Sequence, residues 1–135
     1  MKNRATEIHD AVLDSLALDG GDAVLYFSHL YIHESEGRPG IDPGTGWGQV
    51  AKLTIRSAVI GGSFSEWPAD VHGGHIAIDG VLYENEIPLS LDFEGKTELR
   101  LESWTDVILI VGKGAKLELI GEAVYIEEVG PDRKV

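Results

Sequence analysis

The chain has 135 residues, no cysteine, and a formal net charge of −12 from 23 acidic and 11 basic residues. That length suits one domain with a core that stands without staples, and the missing thiols exclude disulfides, thiolate metal centres and cysteine nucleophiles. The acidic excess repels polyanions, so no nucleic-acid partner is expected; the same field attracts a basic protein, although acidity also serves solubility alone.

Met1-Lys2-Asn3-Arg4-Ala5-Thr6 carries charge with no apolar stretch after it, so no signal peptide is expected. No run approaches the roughly 18 apolar residues of a membrane helix, and a cytoplasmic protein with no membrane contact is the expectation. Ile8, Val12, Leu13 and Leu16 fit a helical face, while Leu16 and Leu18 fit a strand; the opening reads as a short turn leading into a strand. Asp19-Gly20-Gly21-Asp22 is a turn into the strand Ala23 to His33, and Val50 to Ile60 is another strand. Two segments break the pattern, Glu34 to Gln49 and Gly61 to Gly74, both longer than a hairpin loop.

Ile76-Ala77-Ile78 and Val81-Leu82-Tyr83 flank Asp79-Gly80, a pair suited to the positive φ angles of a type I′ turn. Leu89, Leu91 and Phe93 alternate with polar residues, as do Thr97, Leu99 and Leu101 within Lys96 to Ser103, and Glu94-Gly95 between them predicts a second hairpin. Leu99 and Leu101 face inward and Arg100 and Glu102 face solvent in this register. A third hairpin is predicted to join Val107–Val111 to Ala115–Ile120 through Gly112-Lys113-Gly114, and Ala123 to Val129 closes the sheet. The fold class is all-β: residues 1–135 form one domain, a two-layer antiparallel sandwich or flattened barrel of about nine strands. Val107, Ile108, Leu109, Ile110 and Val111 have no polar face, so a cover on both sides is expected, supplied by a homodimer or by another part of the chain.

Chemistry-bearing residues are sparse. The glycines of the Glu34–Gln49 loop invite comparison with phosphate-binding loops, but Gly44-Thr45-Gly46-Trp47-Gly48 lacks the Lys-Ser/Thr pair that follows in those. An ordered loop anchored by Trp47 is the plain reading, and a patch of Arg38, Asp42 and Trp47 for a ligand or partner is the functional one. Of the five histidines, His29 and His33 lie about 13 Å apart along a strand, too far to share an ion. His72-Gly73-Gly74-His75 can fold its two rings together, and a metal-assisted enzyme using His72, His75 and a carboxylate such as Asp70 is the alternative reading. No resident metal or cofactor is expected, and the His-x-x-x-His spacing of His29 and His33 departs from the His-x-His pair of cupin barrels.

No serine stands in a Gly-x-Ser-x-Gly elbow, and Glu98, Glu102, Glu118 and Glu122 read as solvated strand faces. His9 and Asp10, adjacent on a strand, point to opposite faces and do not form an acid–base pair. Trp47 and Trp67, with Tyr31 on a strand nearby, carry a third reading, a carbohydrate-binding sandwich in which aromatic rings stack on sugars.

The stretch Ile8-His9-Asp10-Ala11-Val12-Leu13, running into Leu16-Ala17-Leu18-Asp19-Gly20, resembles small bacterial β proteins that open with His-Asp-Ala/Ser-x-Leu, some of them classed as toxin-immunity proteins. The resemblance spans the first quarter of the chain, and the Arg38-to-Trp47 loop departs from it. It implies a sandwich-like fold and a protein-binding role without catalytic residues. The leading expectation is therefore a non-enzymatic binding or protein-interaction domain, immunity-like, with Arg38, Asp42, Trp47, Trp67, His72 and His75 as candidate binding residues.

Overall fold

A computed structural model describes residues 3–39 and 41–130; the charged start at Met1-Lys2, the loop glycine Gly40 and residues 131–135 lie outside them. Nine strands follow in chain order: β1 (Asn3–Asp19), β2 (Asp22–Ser35), β3 (Gly44–Ile55), β4 (Val59–Gly62), β5 (Ala69–Val71), β6 (Gly73–Ile78), β7 (Val81–Glu84), β8 (Asp92–Glu102) and β9 (Val107–Val129). They make one antiparallel sheet in the order β5-β1-β2-β3-β9-β8-β6-β7, with β4 paired to β9 beside β3. The described residues include no helix, and the all-β expectation holds.

The sheet curls until its two ends approach without closing into a continuous ladder. The Ile8 amide donates to the Asn85 carbonyl at 3.0 Å. The Thr6 hydroxyl donates to the Ile87 carbonyl at 2.6 Å and accepts from the Ile87 amide at 2.7 Å. Thr6 is buried, and these two bonds satisfy its hydroxyl where water cannot. The concave face holds a single core in which Ile8, Leu13, Leu25, Phe27, Leu53, Ile76, Leu99, Leu101, Ile108 and Ile110 are fully buried. Period-two alternation sends these side chains inward and their neighbours out.

Two predicted turns form as read. Asp19 pairs with Asp22 across Gly20 and Gly21, and Ile78 pairs with Val81 across Asp79 and Gly80, whose φ angles of 51° and 82° are both positive. Leu99 and Leu101 are fully buried and Arg100 and Glu102 lie on the outer surface, as the alternation requires.

Other expectations are corrected. The opening is a 17-residue strand rather than a short turn, broken by a bulge at Asp10, whose φ is 72°; aspartate tolerates that left-handed geometry. The bulge also overturns the opposed directions expected of His9 and Asp10, since His9 Nε2 lies 3.3 Å from Asp10 Oδ2. Glu94-Gly95 is a bulge inside β8, not a hairpin turn: Asp92 and Phe93 pair with Lys116 and Ala115 of β9. Gly112-Lys113-Gly114 is likewise no turn, because β9 runs unbroken for 23 residues.

The predicted strand Val50 to Ile60 divides into β3 and β4 around residues 56–58, yet both pieces keep one register along β9, Ile55 opposite Ala115 and Val59 opposite Val111. The predicted loop Glu34–Gln49 shrinks to residues 36–43, and Gly44, Gly46 and Gly48 belong to β3. Their missing side chains admit close neighbours: the Tyr31 hydroxyl occupies the space of a Cβ at Gly46, and the His29 ring that at Gly48.

Val107–Val111 lies between β4 and β8. Ile108 and Ile110 point into the core, while Val107 and Val111 on the outer row are 39% and 41% exposed. The two sides of this apolar run therefore have different surroundings, and only the inner one is fully covered.

Candidate functional site

The structure divides the candidate residues among separate places. Arg38 and Asp42 stay together in the 36–43 loop, where Asp42 Oδ2 accepts from the Arg38 amide at 2.6 Å and the Asp42 amide donates back to the Arg38 carbonyl at 2.8 Å. These bonds make Asp42 a loop-closing residue. Trp47 is on β3 rather than in that loop, its ring edge-on to Tyr125 of β9 at 5.5 Å and its indole N–H donating to Thr45 Oγ1 at 2.8 Å. It is a cross-strand aromatic pair before it is a binding platform. His75 lies on β6, opposite Glu84 and Arg100.

Trp67 and His72 do meet other groups of functional interest, at the place where the segment 63–68 crosses the turn between β8 and β9. That turn is tight: Ser103 Oγ accepts from the amides of Thr105 and Asp106, and the Ser103 amide donates to the Asp106 carbonyl at 2.9 Å. Asp106 ties the two segments together, its Oδ2 accepting from the Ser65 amide at 2.9 Å, the Ser65 hydroxyl at 2.7 Å and the Thr105 hydroxyl at 3.2 Å. The Ser65 hydroxyl first, then its amide, hold the Asp106 carboxyl below its ordinary pKa, with Thr105 adding to them. Asp106 is therefore an anion at neutral pH.

Trp104, second in the turn, is 83% exposed. Its ring meets the His72 ring edge-on with centroids 3.3 Å apart, and the His72 amide donates to the Glu102 carbonyl at 2.7 Å. The His72 Nε2 is buried and has no hydrogen-bond partner among the described residues. Trp67, 42% exposed, leans on buried Phe64 at 5.7 Å between centroids. Between the two segments lies a cavity of about 280 Å³, with Phe64, Pro68 and Trp104 as apolar walls and Glu66, Asp70 and Asp106 as charged ones. No lysine, arginine or histidine lines it.

This arrangement suits the capture of a group with an apolar or π-accepting body and a positive or hydroxyl-bearing end. It does not bring His72 and His75 into a metal cradle: among the described residues no group of three or more histidines and carboxylates is placed to hold an ion. The sequence reading missed Trp104, Ser65 and Asp106. One signal was present, a tryptophan inside the polar tetrapeptide Ser103-Trp104-Thr105-Asp106 between two apolar strands, where a turn keeps a large ring from the core. The link from Ser65 to Asp106 spans 41 positions and has no local signature.

No protein-family model, curated protein or solved structure matches the chain.

Proposed function

We propose that this chain is a non-enzymatic binding domain that engages a basic protein partner, immunity-like in role, with the Trp104 cavity as its anchoring point. The observation that carries this reading is Trp104 itself, 83% exposed beside a cavity whose charged walls are all carboxylates. A lysine or arginine side chain gains there from the indole face and from Glu66, Asp70 and Asp106 together; a cation–π contact alone contributes about 0.5–1 kcal/mol when exposed and about 2 kcal/mol or more when desolvated. The chain's net charge of −12 steers such a partner toward the surface. The reading calls on no cofactor and no nucleic acid, and it places the protein in the cytoplasm; no helix among the described residues is long and apolar enough to cross a membrane. A homodimer over the outer row Val107, Leu109 and Val111 belongs to the same reading, supported by Val59, 74% exposed and paired with Val111.

The carbohydrate reading keeps one specific support, the open face of Trp104 next to hydroxyl and carboxylate groups. Titrating the protein with a lysine-rich peptide and with neutral oligosaccharides, followed by tryptophan fluorescence, separates the two. The basic-partner reading expects saturable binding of the peptide that weakens steeply with salt and is lost in Trp104→Ala. Salt-independent binding of a neutral sugar, with no response to the peptide, overturns it.

A further inference from the structure

Strand β9 carries a second feature, unrelated to the cavity. Its first half is flanked on both sides, by β4 and then β3 on one and by β8 on the other. The ladder with β8 ends at Lys116, opposite Asp92, and one more bond follows, from the Leu117 amide to the Leu91 carbonyl at 2.9 Å. From Glu118 onward β9 continues to Val129 with ladder partners on β3 alone among the described residues. Two stretches of this edge, residues 118–120 and 124–128, are thus held against β3 with no strand on their other side among the described residues; between them the chain bulges at Gly121, whose φ is 71° and whose carbonyl accepts from Gln49 Nε2 at 2.8 Å.

From these features we infer that the free edge of β9 over residues 118–128 is a docking edge, which takes an extended lysine- or arginine-rich segment of a partner protein as an added strand. An ordered edge offers main-chain hydrogen bonds to any extended segment, and side chains beside it supply the selection. Here Ile120, Val124, Tyr125 and Ile126 are each more than two-fifths exposed, so apolar surface flanks the edge. A shallow hollow of about 190 Å³ lies on the sheet face across β2, β3 and β9, where Val124 and Ile126 meet His29 and Gly48 and Glu122 adds a carboxylate.

Charge decides which strand fits. Between Leu117 and Val129 the chain has Glu118, Glu122, Glu127 and Glu128 and no basic residue. Lys52 and Lys116 lie 3.9 and 3.8 Å from Glu118, leaving the excess over Glu122 to Glu128. A second copy laid along this edge sets carboxylates against carboxylates, and like charges across a strand pair are unfavourable. Alternating lysine and apolar residues meet the glutamates and the apolar surface together. The inference shares with the proposed function the premise that the partner is basic, but it rests on a different surface.

The test uses a probe of about ten residues, the length that spans the edge, alternating lysine and valine, with amide hydrogen exchange as readout. Exchange at residues 118–128 is expected to slow when the probe is added and to show no slowing with a glutamate–valine probe. A lysine–valine probe N-methylated on alternate residues, which keeps its charges and loses half its donors, is expected to bind about tenfold or more weakly, a loss of ~1.4 kcal/mol or more; Glu122→Lys is expected to weaken the unmodified probe comparably. Equal protection by the N-methylated probe overturns strand addition, and concentration-dependent protection of the edge without any probe assigns it to a second copy instead. Trp104→Ala separates the two readings: edge protection that survives it stands even if the cavity binds nothing, and edge protection that vanishes with it overturns the independent edge.

Discussion

A hydrogen atom is the whole side chain at Gly112, and the structure shows why nothing larger stands there. A Cβ at that position comes 2.5 Å from Ile55 Cγ2 and 2.6 Å from the Arg56 carbonyl oxygen, the latter backbone that cannot swing aside. Gly112→Ala is expected to cost about 1–3 kcal/mol through the overpacking it forces, whereas Gly73→Ala, with no atom within 4 Å of its Cβ, is expected to be close to neutral. Denaturant melts of the two variants check the pair. The same method tests the inward register of β8: Leu101→Ala should lose about 2–5 kcal/mol. Arg100→Ala should lose little, because its Nε bond to Glu102 at 2.7 Å is a surface ion pair.

Asp106 gives a pH prediction at the same scale. Its folded pKa lies below the ordinary 3.8, so its stabilising effect is fully present above that value and is lost as pH falls through the lower folded one. Asp106→Asn is therefore expected to melt earlier than wild type at pH 7, with the gap closing in strong acid. A gap that persists unchanged at low pH would show that the ionised carboxylate is not what fastens Ser65 to the turn.

At the scale of the strand, β9 behaves as one 23-residue element whose inward and outward sides are fixed by its partners. Inserting one residue after Lys113 reverses the facing of every residue beyond it against β3, so circular dichroism and a thermal melt should show a severe loss of structure. The same insertion between Gly20 and Gly21, in a true turn with positive φ at both glycines, should be tolerated, since loop length costs little.

What was legible in the sequence follows the same division. The Asp79-Gly80 and Gly20-Gly21 turns were readable because positive φ is a local demand that glycine and aspartate meet, and Leu99 and Leu101 were readable because alternation is local too. The glycines at 112, 114, 44, 46 and 48 were misread as turn or loop because a glycine that admits a close neighbour looks, in one sequence, like a glycine that turns the chain. The neighbour in each case comes from elsewhere in the chain: Arg56 for Gly112 and Gly114, Glu34 for Gly44, Tyr31 for Gly46, His29 for Gly48. For the candidate site, Trp67 and His72 were legible as residues, and the cavity between the 63–68 segment and the Trp104 turn was not, since it depends on the long-range tie between Ser65 and Asp106.

Over the whole molecule, the curled sheet leaves one side of the Val107–Val111 run in the core and the other on the surface. Ile108→Glu, at a fully buried position, is expected to unfold the protein because an unpaired carboxylate in the core has no compensation. Leu109→Glu, on the outer row, is expected to leave a folded chain, and light scattering then reports whether a dimer of the wild type has become a monomer. A wild type that stays monomeric at high concentration contradicts the dimer while leaving the two facing assignments intact.

Whether a basic partner is held at the Trp104 cavity is read from a two-dimensional amide spectrum of the labelled protein titrated with a lysine-rich peptide. The Trp104 indole N–H and the amides of Ser65, Asp70 and Ser103 to Asp106 are expected to shift together, saturably, and to return toward their free positions as salt is added. Shifts that leave Trp104 and its turn untouched, or that are produced equally by an acidic peptide, contradict it.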